Sequence, residues 1–279
     1  MKLIKTVQEV KDLVVNCQRP LGFVPTMGAL HAGHISLIKA SVAECKTTLG
    51  SIFVNPLQFG PTEDFKIYPR DLQSDLRKCE ENNVTVVFAP DENEIYPDLN
   101  YVERISPPKF LAEDLCGRTR KNFFYGIATV VKRLFDIVNP DIAYFGEKDL
   151  QQLYVIKWLV DEYKYNILVR PCSVVREKNG LACSSRNNYL TIEQKEIASN
   201  LYKSLHLARK NIKSGIFSPD QAVLESLVFL SRFSEIKVEY LEIRDKNDLK
   251  KASSGKTSRI YLLIAAKIGG VRLIDNIEI

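Results

Sequence analysis

Only three histidines occur in the 279-residue chain, and two of them stand three apart in the run Pro25-Thr26-Met27-Gly28-Ala29-Leu30-His31-Ala32-Gly33-His34. At that spacing on a first helical turn, both imidazoles lean the same way. Gly28 permits a tight turn, and Gly33 removes a side chain where a ligand could approach the backbone. The run follows a predicted strand and opens a predicted helix, so a helix N-terminus adds N–H groups and the positive end of a dipole. The chemistry that fits is a socket for phosphates with two imidazole N–H donors. A single histidine is more often a core or surface residue; here strand, turn, H-x-G-H and helix coincide, which favours a site. No further Cys, His or carboxylate cluster completes a zinc site around the pair, so no protein-held metal is expected.

Three other segments carry suitable groups. Asn55 and Gln58 follow a buried apolar run, where amide side chains would face a crevice and offer both donors and acceptors to a hydroxyl- and carboxylate-bearing substrate. For Asn55, stabilising a turn is a fair alternative. Lys148 and Gln152 are four apart in a predicted helix and hence share a face. A lysine in a first helical turn opposes the helix dipole, which hints at an anion nearby; a solvated lysine is the plain alternative. Ser184-Ser185-Arg186 joins two hydroxyls to a guanidinium fork able to clamp a leaving pyrophosphate, although a polar loop would be the default reading taken alone.

These residues need a scaffold. Short apolar runs at 21–24, 51–54, 84–88, 142–145 and 166–169 alternate with helical patterns at 34–45, 127–138 and 150–163. Such alternation predicts an α/β domain with a Rossmann-like parallel sheet over residues 1–172, whose ligands bind outside the carboxyl ends of the strands. Beyond Pro171 come helices at 193–213 and 219–231, then strands at 236–243, 258–265 and 271–274, with a tight turn at Gly269-Gly270. They predict a smaller C-terminal α+β domain over 173–279.

Composition narrows the class. Hydrophobic residues are 45% and charged residues 26%, ordinary for a globular protein. No run approaches the roughly 18 apolar residues of a membrane helix, and the N-terminus lacks a signal-peptide pattern, so a cytoplasmic enzyme without membrane contact is expected. The formal net charge of +5 is spread along the chain, weak ground for nucleic-acid binding. The six cysteines form no C-x-x-C pair, which fits reduced, partly buried thiols.

H-x-G-H at the end of a first strand resembles the nucleotidyltransferase superfamily that includes class I aminoacyl-tRNA synthetases. Four further segments narrow the resemblance to the pantothenate synthetase (pantoate–β-alanine ligase) family: Ser51-Ile52-Phe53-Val54-Asn55-Pro56-Leu57-Gln58-Phe59; Glu63-Asp64 with Tyr68-Pro69-Arg70; Phe145-Gly146-Glu147-Lys148-Asp149 with Gln151-Gln152; and Gly180-Leu181-Ala182-Cys183-Ser184-Ser185-Arg186-Asn187. The matches run in family order from residue 25 to 187, and the length fits.

The resemblance implies an ATP site of Met27, Gly28, Ala29, Leu30, His31, Ala32, Gly33, His34, Gly146, Glu147, Lys148, Asp149, Val175, Cys183, Ser184, Ser185 and Arg186. It makes Gln58 a contact for both pantoate and β-alanine and Gln152 a contact for pantoate. His34, His31, Lys148 and Arg186 are the expected catalytic groups, with His34 as proton donor or charge stabiliser. ATP with Mg²⁺, a pantoyl-adenylate intermediate, a homodimer and a C-terminal lid over the site are also implied. Two places depart from the family pattern. Arg120-Lys121-Asn122-Phe123-Phe124 replaces R-P-G-H-F, so Phe123 holds the family's histidine position, and Ala32 replaces a common glutamate. A plain nucleotidyltransferase or a non-catalytic nucleotide binder are the alternatives. A tRNA synthetase is disfavoured, because the chain has no obvious anticodon-binding domain or basic patch.

Overall fold

Nearly continuous apolar strands suit a parallel sheet that helices cover on both faces. The computed structural model describes residues 1–61, 63–252 and 258–279. Its strands β1 (Lys2–Ile4), β2 (Leu21–Thr26), β3 (Thr47–Ile52), β4 (Val86–Phe88), β5 (Ile142–Gly146) and β6 (Leu168–Cys172) form a sheet in the order β1-β4-β3-β2-β5-β6. Every neighbouring pair is parallel. The principal helices alongside it are α1 (Val7–Asn16), α2 (Ala32–Glu44), α3 (Leu72–Glu81), α4 (Phe123–Val138) and α5 (Leu150–Glu162). The chain divides into two compact units, residues 1–147 with 151–173, and residues 148–150 with 174–279.

In the first unit, alternate strand residues serve opposite faces. Val24, Val87 and Tyr144 pack with Leu37 and Ile38 of α2 and Cys79 of α3. Phe23 meets Phe135 of α4, ring centroids 6.4 Å apart, and Phe135 also meets Phe145 at 6.5 Å. Burying each such ring stabilises the unit by about 1.5–3 kcal/mol. Strands β3, β4 and β1 lie in turn on one side of β2, and β5 and β6 on the other. The order therefore reverses between β2 and β5, and a crevice is expected beyond their carboxyl ends. The chain leaving β2 is the Met27–His34 run, and the chain leaving β5 enters Glu147.

The second unit holds α6 (Ile192–Lys213), α7 (Pro219–Leu230) and an antiparallel sheet in the order β7 (Lys237–Asp245), β8 (Ile260–Ile268), β9 (Val271–Glu278). Leu201, Leu205 and Ala222 of its helices pack on Leu262, Ile264, Leu273 and Ile277 of the sheet. Gly269-Gly270 is the β8–β9 turn, as the sequence predicts. The α/β class, with a Rossmann-like parallel sheet and a smaller C-terminal α+β domain, is what the structure has.

Several element bounds differ from the sequence reading. The second strand is Thr47–Ile52 rather than 51–54, because its first residues are polar yet buried. Thr48 Oγ1 and Ser41 Oγ satisfy each other at 2.8 Å. The fifth predicted strand extends through Pro171 to Cys172, which is possible because β6 is an edge strand needing no outward N–H. Lys148 is not in a helix. It sits in the 3-10 turn Glu147–Asp149 that runs directly into α5, so the α-helical face shared with Gln152 does not hold. The sequence reading did not contain β1, α1 or α3.

Candidate active site

The turn after β2 is built by backbone conformation first. Gly28 has φ +78° and Ala29 φ +49°, so the chain makes two successive left-handed steps. Such a conformation points consecutive N–H groups into one concavity able to hold an anion. Here the anion is internal. Asp75, 2% exposed, accepts from the N–H of Ala29 through Oδ2 and from that of Leu30 through Oδ1, both at 2.8 Å. Lys78, one helical turn further along α3, donates from Nζ to the Leu30 carbonyl at 2.7 Å. The N–H groups of Ala29 and Leu30 are therefore taken by the protein.

Those residues begin α2, and the histidines themselves cap it. His31 is the N-cap, and its Nδ1 accepts from the N–H of Gly33 at 3.1 Å. The N–H of His31 in turn donates to Nδ1 of His34 at 3.4 Å. The two rings lie side by side, centroids 4.1 Å apart and inclined by 34°. Each Nδ1 acts as an acceptor, so in the neutral rings the proton belongs on Nε2. The capping box thus sets both tautomers and makes each Nε2–H a donor.

The Asn55–Gln58 segment leaves β3 as a short 3-10 turn, Pro56–Gln58. Gln58 Nε2 approaches Met27 Sδ at 2.9 Å, which brings this segment to the histidine turn. Asn55 is 1% exposed and fully engaged. Its Nδ2 donates to Gln58 Oε1 and to the Gly126 carbonyl, both at 3.1 Å. Its Oδ1 accepts from the Tyr96 hydroxyl at 2.9 Å and the Leu57 N–H at 3.3 Å. An amide has two donors and two acceptor positions, and all four have protein partners. The turn-stabilising alternative therefore describes Asn55, which holds Gln58. Gly126 of α4 packs so closely here that a Cβ would stand 2.2 Å from the Leu57 carbonyl oxygen.

Gln151 and Gln152 differ in the same sense. Gln151 is buried, donates to the carbonyls of Leu111 and Asp114 at 2.8 and 2.7 Å, and accepts from the Cys116 N–H at 3.1 Å. It fastens the 111–116 segment, while its neighbour Gln152 is half-buried. The segment that departs from the family pattern is also well held. Arg120 makes a two-pronged ion pair with Glu63, at 2.8 and 2.7 Å, and its guanidinium lies 3.3 Å from the centre of the Phe123 ring. Phe123, at the family's histidine position, is thus a platform for Arg120.

Met27 to His34, Asn55, Gln58, Gly146, Glu147 and Gln152 belong to the first unit, and Lys148, Asp149, Val175 and Cys183 to Arg186 to the second. In the second unit the 175–187 segment is a compact loop. Arg176 and Ala182 form an antiparallel bridge, and Cys183 N–H donates to the Val175 carbonyl at 2.9 Å. Ser184 Oγ accepts from Arg186 N–H at 3.3 Å, capping the turn Ser185–Tyr189. Asn187 Nδ2 donates to Glu177 Oε1 at 2.8 Å and to the Ala182 carbonyl at 3.0 Å. Burial, with the Glu177 charge adding to it, pushes the Cys183 thiol above its ordinary range, and the cations of Lys148 and Arg176 oppose the rise. Lys148 and this loop therefore sense one another.

The model of the Pantoate-beta-alanine ligase family matches residues 2–278. The chain belongs to that family. A pantothenate synthetase of Sulfurihydrogenibium sp. is 44% identical over 284 aligned positions, covering 100% of both chains. The crystal structure of pantothenate synthetase from Thermus thermophilus is 38% identical, with a TM-score of 0.94 over 100% of this chain and 99% of that one. The crystal structure of a pantoate-beta-alanine ligase from Francisella tularensis, complexed with beta-gamma ATP and beta-alanine, is 35% identical, with a TM-score of 0.82 over 100% and 97%. The chain is accordingly an enzyme of the carbon–nitrogen ligase kind.

The sequence reading overlooked the residues that aim the site. Asp75 and Lys78 hold the histidine turn, and Tyr96 and Gly126 hold the Asn55–Gln58 turn. A weak signal existed for Asp75: with Cys79 four residues on, it forms the buried side of an otherwise polar helix. Tyr96 has none, since only the fold brings it to Asn55.

Proposed function

We propose that the enzyme joins pantoate to β-alanine through a pantoyl-adenylate, using MgATP. A pantoate carboxylate oxygen attacks the α-phosphorus and the bond to pyrophosphate breaks. The β-alanine amine then attacks the acyl carbon, the bond to AMP oxygen breaks, and the amine gives up its protons to solvent and product. Negative charge grows on phosphoryl oxygens and leaving group in the first step, where fixed donors act most strongly. The observation that carries this reading is the paired histidine cap, which makes Nε2–H a donor on both His31 and His34.

His34 is assigned the charge-stabilising or proton-donating role, with His31 beside it. Lys148, Ser184, Ser185 and Arg186 offer donors of the kind that a triphosphate needs, and Met27 to Gly33, Gly146, Glu147, Asp149, Val175 and Cys183 complete the ATP site. Gln58 takes pantoate and β-alanine, and Gln152 takes pantoate. Asn55 serves through Gln58. Mg²⁺ comes in on the triphosphate. A homodimer, a cytoplasmic setting and a lid role for the C-terminal domain are parts of the same reading and rest on the family resemblance.

The test uses pantoate labelled with ¹⁸O in its carboxylate, with ATP, Mg²⁺ and β-alanine. One labelled oxygen should appear in AMP, formed together with pantothenate only when both co-substrates are present. AMP without label would exclude the adenylate, and pyrophosphate without AMP would favour plain nucleotidyl transfer. The His34→Ala protein should lose at least about a hundredfold in kcat.

A further inference from the structure

Lys148 lies in the chain between β5 and α5, yet residues 148–150 group with the second unit. One strand explains that allegiance. Asn276 of β9 donates from Nδ2 to the Lys148 carbonyl at 3.1 Å, across 128 positions of sequence. Its neighbour Asp275 holds Arg176 through two prongs, Oδ2 to one guanidinium nitrogen at 2.6 Å and Oδ1 to the other at 2.9 Å. Arg176 also donates to the Gly180 carbonyl at 3.1 Å, and its guanidinium lies 3.7 Å from the centre of the Tyr202 ring. It is thereby the anchor of the loop that carries Cys183 to Arg186.

Successive residues of a strand point to opposite faces. Asp275 pairs in register with Ile264 and Asn276 with Leu263, so β9 reaches the Arg176 loop from one face and Lys148 from the other. Both side chains are nearly fully buried, 5% and 6% exposed. Burial raises the pKa of Asp275, and the cations of Arg176 and Lys148 oppose it, so the Lys148 charge is felt at this strand as well. Two adjacent buried side chains far from both segments in sequence, one bonded to the backbone of the first segment and the other to the anchor of the second, fix their relative position.

We propose that Asp275 and Asn276 are positioning residues for ATP: β9 sets Lys148 and the Cys183–Arg186 loop in one frame, so that ammonium and guanidinium meet the triphosphate together. The proposal rests on the ATP-site reading of Lys148 and Arg186. A double-mutant cycle separates the two. Asn276→Ala removes the bond to the Lys148 carbonyl and should lower kcat/KM for ATP about tenfold, with KM for β-alanine essentially unchanged, in protein shown by circular dichroism to be folded at the assay temperature. In a Lys148→Ala background the same change should cost less than about twofold, because the group it positions is gone. Asp275→Asn should behave likewise against Arg186→Ala, with Asn276→Ala remaining decisive where Asp275→Asn fails to fold. Full additivity of Asn276→Ala with Lys148→Ala would overturn the positioning role alone. A Lys148→Ala protein with unchanged kcat/KM for ATP would take down the ATP-site reading of Lys148 and the proposal with it.

Discussion

Replacing Asp75 by asparagine exchanges one oxygen of a buried carboxylate for an NH₂ group and should disable the histidine site it supports. The carboxylate accepts from the N–H groups of Ala29 and Leu30, both at 2.8 Å. An amide of the same shape keeps one acceptor and turns an NH₂ group toward the other N–H. One bond to a charged acceptor, worth about 1.5–3 kcal/mol, is lost, and a buried N–H is left without a partner. At about 2–4 °C per kcal/mol for a unit of this size, the melting temperature should fall by roughly 3–12 °C. The turn cannot stay where it is, because Ala29 at φ +49° is held in a left-handed conformation that costs an ordinary residue about 1–2 kcal/mol. His31 caps α2 immediately after this turn. A displacement near 1 Å costs a reacting geometry on the order of a hundredfold, so kcat should drop about 10- to 100-fold in protein shown by circular dichroism to be folded at the assay temperature. An Asp75→Asn protein that melts within about 1 °C of the parent and keeps kcat within about twofold would falsify the argument that this carboxylate aims the histidines.

Gly126→Ala should destabilise the protein although alanine is favoured over glycine in a helix by about 1 kcal/mol. Its Cβ would stand 2.2 Å from the Leu57 carbonyl oxygen and 2.7 Å from the Gln58 Cα, so the 56–58 turn must shift. The KM for pantoate should rise about tenfold in initial-rate assays; a stabilised variant with unchanged KM would contradict that packing. Burial, with Asp75 adding to it, pushes the Cys79 thiol up to about 11, and Cys183 is raised by burial and Glu177. A raised pKa leaves less thiolate at pH 8, so iodoacetamide should label Cys183 more slowly than glutathione, and Cys79 more slowly still, by peptide mass mapping. Labelling of Cys183 at the glutathione rate would contradict its burial.

The histidine turn was legible because its chemistry and its geometry share one short stretch. His31 and His34 need only a helix start to become neighbours, and strand β2 ahead of them is a plain apolar run. Helix α1 left a readable mark as well, the Thr6-x-x-Glu9 capping box with Val10 and Val14 four apart on its buried side, although its short apolar stripe drew no helix from the pattern. Strand β3 was misplaced by four residues because hydropathy cannot know that Thr48 finds Ser41. Helix α3 was invisible for a deeper reason. Its apolar stripe is thin, only Leu72, Leu76 and Cys79 in a polar run, and one of the two residues it buries is the charged Asp75, whose partners are backbone N–H groups.

The same reason explains why groups with candidate chemistry can be read from a sequence and the groups that hold them in place cannot. A donor set such as His31 with His34 is recognised by residue type and local spacing. An aiming residue is recognised by a bond from its side chain to someone else's backbone, and backbone atoms have no identity in a sequence. Asp75 reaches Ala29 across 46 positions, and Asn276 reaches Lys148 across 128. Asn55 shows that the two roles can wear one residue type: its amide suits a polar substrate as well as Gln58 does, and only the four partners around it assign it to support. Burial with a side-chain bond to a distant segment of the chain marks a residue that holds others in place. By that criterion Asn55, Asp75 and Asn276 form the frame, and the residues that meet the substrates are to be sought one bond further out.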